Sequence, residues 1–414
     1  MKILITSIGT RGDMEPFLAI AEILKGYGHD VTCLFPDQFK NLVDDTGVAF
    51  EGLGPEFYEM LESDIGQFAM GGGGNKFKKI ISYIKLGFKQ KGINKKLVQR
   101  QFEVVQKLQP DRIVHNGKAM YPVLWEIENP GNTTYVSPVP YLHYVKGHTH
   151  TAFHSNFGEF FNKLTYKLAD FGVLKAIQTT AKQLKLKYTK QQIKTAYLKH
   201  QIVYTVSPHL FQRPDYWPSN MQVLGYHERN KTTNWTPSNE LLTFINTKRP
   251  VVLFTFGSMS NPEPEKKTQI VLEAFEKLDV TVIINSPANG LIEPKEYDRK
   301  KFFFTKNIPY DWAFPKMHAV VHHGGSGSTH MSLKYACPTL IIPHIIDQFN
   351  WNNLVAEQNF GPKGISISKL NTKDLHLLLK DLITNPLYNE NTEKISAKIQ
   401  AEDFTADLHR ILTE

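Results

Sequence analysis

Cysteine is nearly missing from this sequence. Two occur in 414 residues, Cys33 and Cys337, each among apolar neighbours and neither in a C-x-x-C pair. That excludes a disulfide framework or a cysteine zinc site and fits a reducing compartment. No apolar run reaches the ~18 residues needed to cross a bilayer. The chain passes from Met1 into a strand-like run ending at Ser7 with no export signal, so a cytoplasmic protein is expected. The glycosylation-type triplets at Asn132, Asn230 and Asn234 then read as chance. There is no G-x-x-x-x-G-K-[ST] loop and no first-strand G-x-G-x-x-G with its downstream acid, which sets aside NTP hydrolysis and nicotinamide chemistry. His148, His150 and His154 lie close together after His143, but no cysteine or paired acid joins them, and no metal is expected. Acidic residues are locally scarce. Lys76 to Arg100 holds nine basic residues and no acid, and Lys163 to His200 holds nine lysines against Asp170 alone, while the whole chain is only +8.

The remaining composition, 41% hydrophobic and 21% charged, is that of a globular protein too long for one core, so two domains are expected. Lys2–Ser7 and His29–Phe35 read as strands around a helix at Glu15–Tyr27, a βαβ opening. Arg112–His115, Thr133–Val136, Ile202–Val206 and Gln222–Leu224 read as further buried strands. Prolines at 208, 214, 218 and 237 mark a boundary. Beyond it strands are expected at Val251–Phe256, Val280–Asn285, Lys301–Thr305, Ala319–His322 and Thr339–Ile342, with a helix at Lys267–Leu278. Two doubly wound α/β units would place a ligand cleft at the carboxyl ends of their strands. After Gly71–Gly74, the residues Phe77, Ile80, Ile81, Ile84 and Phe88 form the stripe of a basic amphipathic helix. The lysine stretches at 76–100 and 163–200 read first as solvated faces of packed helices, and second as surfaces for anionic membrane or an acidic partner. No nucleic-acid motif accompanies them.

The most informative stretch is Met317–His330. An apolar run ends in His322-His323-Gly324-Gly325-Ser326-Gly327-Ser328-Thr329, followed by an amphipathic helix pattern. Glycines that admit close approach, hydroxyl and amide donors, and the positive end of a helix make an anion cradle suited to a phosphate or diphosphate.

Together with Ile8-Gly9-Thr10-Arg11-Gly12-Asp13-Met14-Glu15-Pro16, Phe256-Gly257-Ser258-Met259, Ile308–Pro315 and Asp347-Gln348, this loop resembles, in order and spacing, the GT-B glycosyltransferases that include sterol 3-β-glucosyltransferases and glycopeptide-antibiotic glucosyltransferases. The likeness spans essentially the whole chain, strongest at 251–363 and weakest at 50–205, where such enzymes bind diverse acceptors. It implies an α/β fold of two Rossmann-like domains facing across a cleft: 1–225 for the acceptor, a linker at 226–250, 251–395 for the nucleotide sugar, and 396–414 as a helix returning to the first domain. It implies inverting, metal-independent transfer of a hexose, glucose first, from a nucleotide diphosphate sugar to an acceptor hydroxyl, with no cofactor.

The resemblance assigns roles residue by residue. Asp13 stands where similar enzymes carry the catalytic base and plant relatives a histidine; by position alone it also fits an N-cap, and the matched Gly9, Arg11 and Gly12 favour the base. His323, the backbone of Gly324 to Thr329, and Gly257 with Ser258 match diphosphate contacts. His322, on the opposite face of a continuing strand, reads as core. Asp347 and Gln348 match the glucosyl contacts, with a helix cap as the other reading of Asp347. Plant relatives hold uracil with Trp and Gln where Asn307 and Tyr310 stand here, and carry a Glu on the ribose where this chain has Met331. These departures leave the donor base open between UDP, the first expectation, and dTDP, the second. Phe153, Phe157, Phe160, Phe161 and Tyr166, with the nearby histidines, are expected to flank the pocket of a sterol-, carotenoid- or polyphenol-type acceptor. The rival readings are a nucleotide-sugar epimerase on the same architecture and a non-catalytic nucleotide-sugar-binding protein.

Overall fold

A computed structural model describes residues 1–63, 66, 76–153, 155–229 and 235–414, without the side chains of residue 62 and residues 76–90. Gly71–Gly74, His154, Asn230, Asn234 and the Phe77–Phe88 stripe therefore lie outside what is described. Among the described residues the strands form two parallel sheets. The first runs in the order β3-β2-β1-β4-β5-β6-β7, from β1 (Lys2–Thr6), β2 (Asp30–Phe35), β3 (Ala49–Gly52), β4 (Arg112–His115), β5 (Thr133–Ser137), β6 (Gln201–Tyr204) and β7 (Met221–Val223). The second runs β10-β9-β8-β11-β12, from β8 (Val251–Thr255), β9 (Thr281–Asn285), β10 (Phe302–Thr305), β11 (Ala319–His322) and β12 (Thr339–Ile341). β8, β9 and β11 are buried at every position, as unbroken Val/Ile/Phe runs covered by helices on both faces should be. β3 left no apolar run to read because none of its four residues is buried.

Each sheet reverses its strand order once, between β1 and β4 and between β8 and β11. The loops leaving those neighbours diverge, opening a crevice at their carboxyl ends. Thr6 pairs with His115 and Thr255 with His322, so the loops begin level with one another. The chain divides into two compact units, the first of Met1–Leu61, Ile84–Arg229 and Asp403–Glu414, the second built on Asn230–Glu402. Leu408 and Leu412 of the helix Thr405–Thr413 are fully buried in the first unit's core with Phe17 and Leu24.

The first helix runs Arg11–Gly26, four residues earlier than Glu15, where the sequence places its start. Asp13 is thus its third residue. Thr10 occupies the N-cap in extended backbone, and Asp13 reaches back to its amide, the reciprocal half of a capping box that lets the helix begin early.

Arg229 belongs to the first unit, whereas the sequence reading puts it in the linker. Its guanidinium donates to Glu15 Oε2 at 3.2 Å and Glu22 Oε1 at 2.9 Å and is 9% exposed. Arg229→Ala would leave two carboxylates facing each other on the Arg11–Gly26 helix. Since Glu22 is 36% exposed, a loss of about 2 kcal/mol is expected, below the range for fully buried pairs, measured as a lower urea midpoint for the first unit.

Candidate active site

In the first unit the β1 and β4 loops are tied through one carboxylate. Gly9 has no side chain because a Cβ there would collide with the Asp13 carboxylate. Asp13 Oδ2 accepts the Thr10 amide at 2.8 Å, and Oδ1 accepts the Lys118 ammonium at 2.9 Å. Its main-chain carbonyl accepts the Ser7 hydroxyl at 2.9 Å. Asn116, just beyond β4, donates Nδ2 to Ser7 Oγ at 3.0 Å and to the Ile8 carbonyl at 2.9 Å, while its Oδ1 accepts the Lys118 amide at 3.1 Å. The carboxylate is held in one orientation, 30% exposed. Its two oxygens offer about four lone-pair sites, so a hydroxyl can still be accepted. Gly12, beside it in the first helical turn, has open space, with only the Thr10 hydroxyl nearby.

In the second unit, main chain closes around an imidazole. Gly257, at φ 55°, would put a Cβ 2.8 Å from His323 Cε1; Gly325 would put one 2.6 Å from His323 Nε2. Gly324, at φ 93°, turns the chain where a Cβ would meet Ile341 Cγ2 at 2.7 Å. Burial lowers His323 to about 4, so the ring is neutral at pH 7 and carries one proton. Nδ1 is buried without a partner. A bare acceptor is the less costly atom to leave unpaired, which puts the proton on Nε2, beside Gly325. Gly325 is also the N-cap of the helix Ser326–Lys334, whose first turn carries no acid. The Thr329 amide bonds back to the Gly325 carbonyl at 3.0 Å; those of Ser326, Gly327 and Ser328 have no carbonyl one turn earlier in the helix. A neutral imidazole, three main-chain amides and the positive helix end thus meet on one loop, a fit for an oxyanion.

The hydroxyls of this loop divide. Thr329 is fully buried, and its hydroxyl as well as its amide donates to the Gly325 carbonyl at 3.0 Å, so neither is offered to the turn. Ser326 Oγ lies 3.3 Å from His330 Nδ1. Ser258, half-buried, follows Gly257, whose amide donates to Thr255 Oγ1 at 2.9 Å. Tyr310 stacks on Phe314 at 4.6 Å, and its hydroxyl lies 3.4 Å from the same Thr255 oxygen. Met331 is buried in the helix. His322 is fully buried, and its Nδ1 accepts the Gly324 amide at 2.9 Å.

Gln348 is turned into its own loop. Oε1 accepts the amides of His344 at 2.7 Å and Ile345 at 3.2 Å, and Nε2 lies 3.7 Å from Met259 Sδ. These bonds hold Ile346 at φ 38°, a conformation β-branched residues adopt only under constraint. Asp347 is the N-cap residue of Gln348–Glu357, but its side chain makes no cap bond.

Gly325→Ala tests the cradle most directly. Position 325 has ordinary extended φ/ψ, so the fold should persist, while the methyl displaces His323. The expected result is roughly tenfold weaker nucleotide binding, or ~1.4 kcal/mol, read by calorimetry with UDP.

Three residues here escaped the sequence reading. Asn116 and Lys118 are legible only once β4 is known to neighbour β1. His344, buried with an unpartnered Nε2 and its ring centre 6.4 Å from that of His323, follows Ile342-Pro343 with no motif to mark it. The residues of the expected aromatic acceptor flank divide between core and surface. Tyr166 is buried, its hydroxyl donating to the Thr149 carbonyl at 3.0 Å, but Phe160 is 78% and Phe161 57% exposed. They lie on the outward face of the helix Glu159–Gln183, where Phe161 borders a shallow surface cavity. His143 bonds the Tyr204 hydroxyl at 2.6 Å. Among the described residues no group of three or more His, Cys, Asp or Glu could hold a metal.

Comparison with known proteins matches residues 143–403 to the family described as UDP-glucoronosyl and UDP-glucosyl transferase, and residues 3–121 to the glycosyltransferase family 28 N-terminal domain. A sterol 3-beta-glucosyltransferase of Arabidopsis thaliana is 27% identical over 98% of this chain and 64% of its own length. One of Saccharomyces cerevisiae is 26% identical over 96% of this chain and 34% of its own. This chain therefore spans about two thirds of the plant relative and one third of the yeast one. Among solved structures, the spinosyn forosaminyltransferase SpnP superposes with a TM-score of 0.70 at 13% identity, covering all of both chains. The expected fold is thus the observed one, two Rossmann-like sheets in the GT-B manner. By the family match across most of its length, this chain belongs to the UDP-glucoronosyl and UDP-glucosyl transferases.

Proposed function

We propose that the chain transfers a hexose, glucose first, from a nucleotide diphosphate sugar, UDP ahead of dTDP, to a hydroxyl of a lipophilic sterol-type alcohol, with inversion at the anomeric carbon. The observation that carries this reading is the His323–Ser328 cradle, built to receive negative charge. In the reaction the acceptor oxygen bonds to the anomeric carbon as the bond from that carbon to the diphosphate oxygen breaks. A single displacement inverts the centre. The acceptor proton passes to Asp13 Oδ1, the oxygen that also meets Lys118, while Oδ2 stays on the Thr10 amide. The bonding pair leaves with the diphosphate, where the Nε2 proton of His323, the amides of 326–328 and Ser258 meet it. Asp347 and the Gln348 Nε2 group are the proposed partners of the sugar hydroxyls, and Tyr310 that of the base. Similarity to sterol 3-beta-glucosyltransferases supports the acceptor class.

The test is UDP-glucose with a sterol, a polyphenol and a simple sugar as competing acceptors, read by mass spectrometry. A hexosyl adduct on the sterol or polyphenol is expected. Products confined to the simple sugar would overturn the acceptor class, and free epimerised sugar without acceptor would overturn transfer.

A further inference from the structure

The helix Glu159–Gln183 carries apolar side chains on two opposite faces. One face, with Tyr166, Ile177 and Ala181, is buried in the first unit. On the other, Phe157, just before the helix, and Phe160, Phe161, Leu164, Leu168 and Phe171 recur every three or four residues, and each is 40–78% exposed. Such spacing makes one continuous stripe about three turns long. Phe157, Phe161, Leu164, Thr165 and Leu168 border a shallow cavity of about 410 Å³ along it. The charge around the stripe is mostly positive. Lys163 and Lys167 lie along one margin and Lys175 continues its axis, all exposed. Of the two acids in the same stretch, Asp170 accepts the Tyr197 hydroxyl at 2.8 Å on the inner side, and only Glu159 at the helix start faces out. A second copy of this chain would oppose lysine to lysine. An apolar stripe rimmed by lysines is instead complementary to a bilayer whose headgroups are anionic and whose acyl chains lie just beneath.

We propose that this outward stripe, rimmed by Lys163, Lys167 and Lys175, seats the first unit on an anionic membrane surface with Phe160 and Phe171 in the headgroup boundary. The proposal deepens the acceptor reading, since a lipophilic alcohol resides in such a surface, but its test needs neither donor nor acceptor. The full chain is sedimented with vesicles of phosphatidylcholine alone and with about one third phosphatidylserine. Expected is at least tenfold stronger partition onto the anionic vesicles, reduced by salt. Phe160→Ser with Phe171→Ser should lower it at least tenfold. The charge variant Lys163→Glu with Lys167→Glu should abolish the preference for anionic lipid. Transfer to an acceptor dispersed in cyclodextrin should be unchanged in both. Vesicle binding equal to wild type in both variants, or no binding by wild type, overturns the proposal while leaving glycosyl transfer untouched. Retained vesicle binding with lost transfer assigns the stripe to the acceptor and also overturns it, as does a wild-type dimer that the phenylalanine variant dissolves.

Discussion

Asp13→Asn is expected to lower kcat by 10²–10⁴ with little change in the KM for the donor. The asparagine is the informative replacement because its Oδ1 can still accept the Thr10 amide that Asp13 Oδ2 holds at 2.8 Å. The early start of the Arg11–Gly26 helix then survives. What is lost is a site able to take a proton, together with the pair to Lys118, which is half exposed and contributes under about 1 kcal/mol. Asp13→Ala removes the back-bond as well and should cost a further ~1 kcal/mol of stability at similar activity. The pair of variants separates base from cap. If both cost less than tenfold in kcat, the carboxylate only caps its helix; if only the alanine fails, and fails by unfolding, the same conclusion follows.

The second large effect is loss of stability in mild acid. His115 and His200 in the first unit and His323, His330 and His344 in the second are buried, His143 in the first unit is half-buried, and burial lowers all six. His115, His143 and His344 fall to about 3, and His200, His323 and His330 to about 4. The unfolded chain takes up these protons near pH 6.5, while the native chain refuses them until far lower. Between those values the unfolded state binds more protons, so stability must fall as pH falls. The contribution is complete above pH 7 and is lost downward from 6.5 to about 4. Each histidine removes about 1.4 kcal/mol per pH unit, so three in one unit remove roughly 4 kcal/mol per unit of pH. Set against a stability of 5–15 kcal/mol, that brings unfolding near pH 5. Urea midpoints should be level from pH 8 to 7 and drop steeply below 6, ahead of the range where carboxylates titrate. Level midpoints down to pH 5 would mean that these rings find protons, or water, inside the native fold.

Local pattern carried much of this. Ala319–His322 and Arg112–His115 are strands at the residues their apolar runs mark, because strands covered on both faces need unbroken apolar sequence. β3 had no such run. The start of the first helix was misjudged because a capping box is a reciprocal contact, and Thr10 and Asp13 reveal it only when both are placed. The turn from strand into helix at His323–Thr329 was legible as glycine and hydroxyl before a helix. Which hydroxyls point outward was not, and Thr329 and Gln348 prove to spend side-chain atoms on their own loops.

The sequence by itself determined the two parallel α/β sheets, the glycine-rich turn from strand into helix at 322–329, and the family, because each is written in short-range periodicity and in motifs a few residues long. Tertiary structure alone decided that Lys118 and Asn116 hold Asp13, that burial keeps His323 neutral with a proton to donate, and that six apolar residues from Phe157 to Phe171 face outward. Those facts depend on which strands become neighbours and on how much water each group loses. Both are settled by contacts between residues far apart in the chain, such as the 105 positions separating Asp13 from Lys118, which no local pattern encodes.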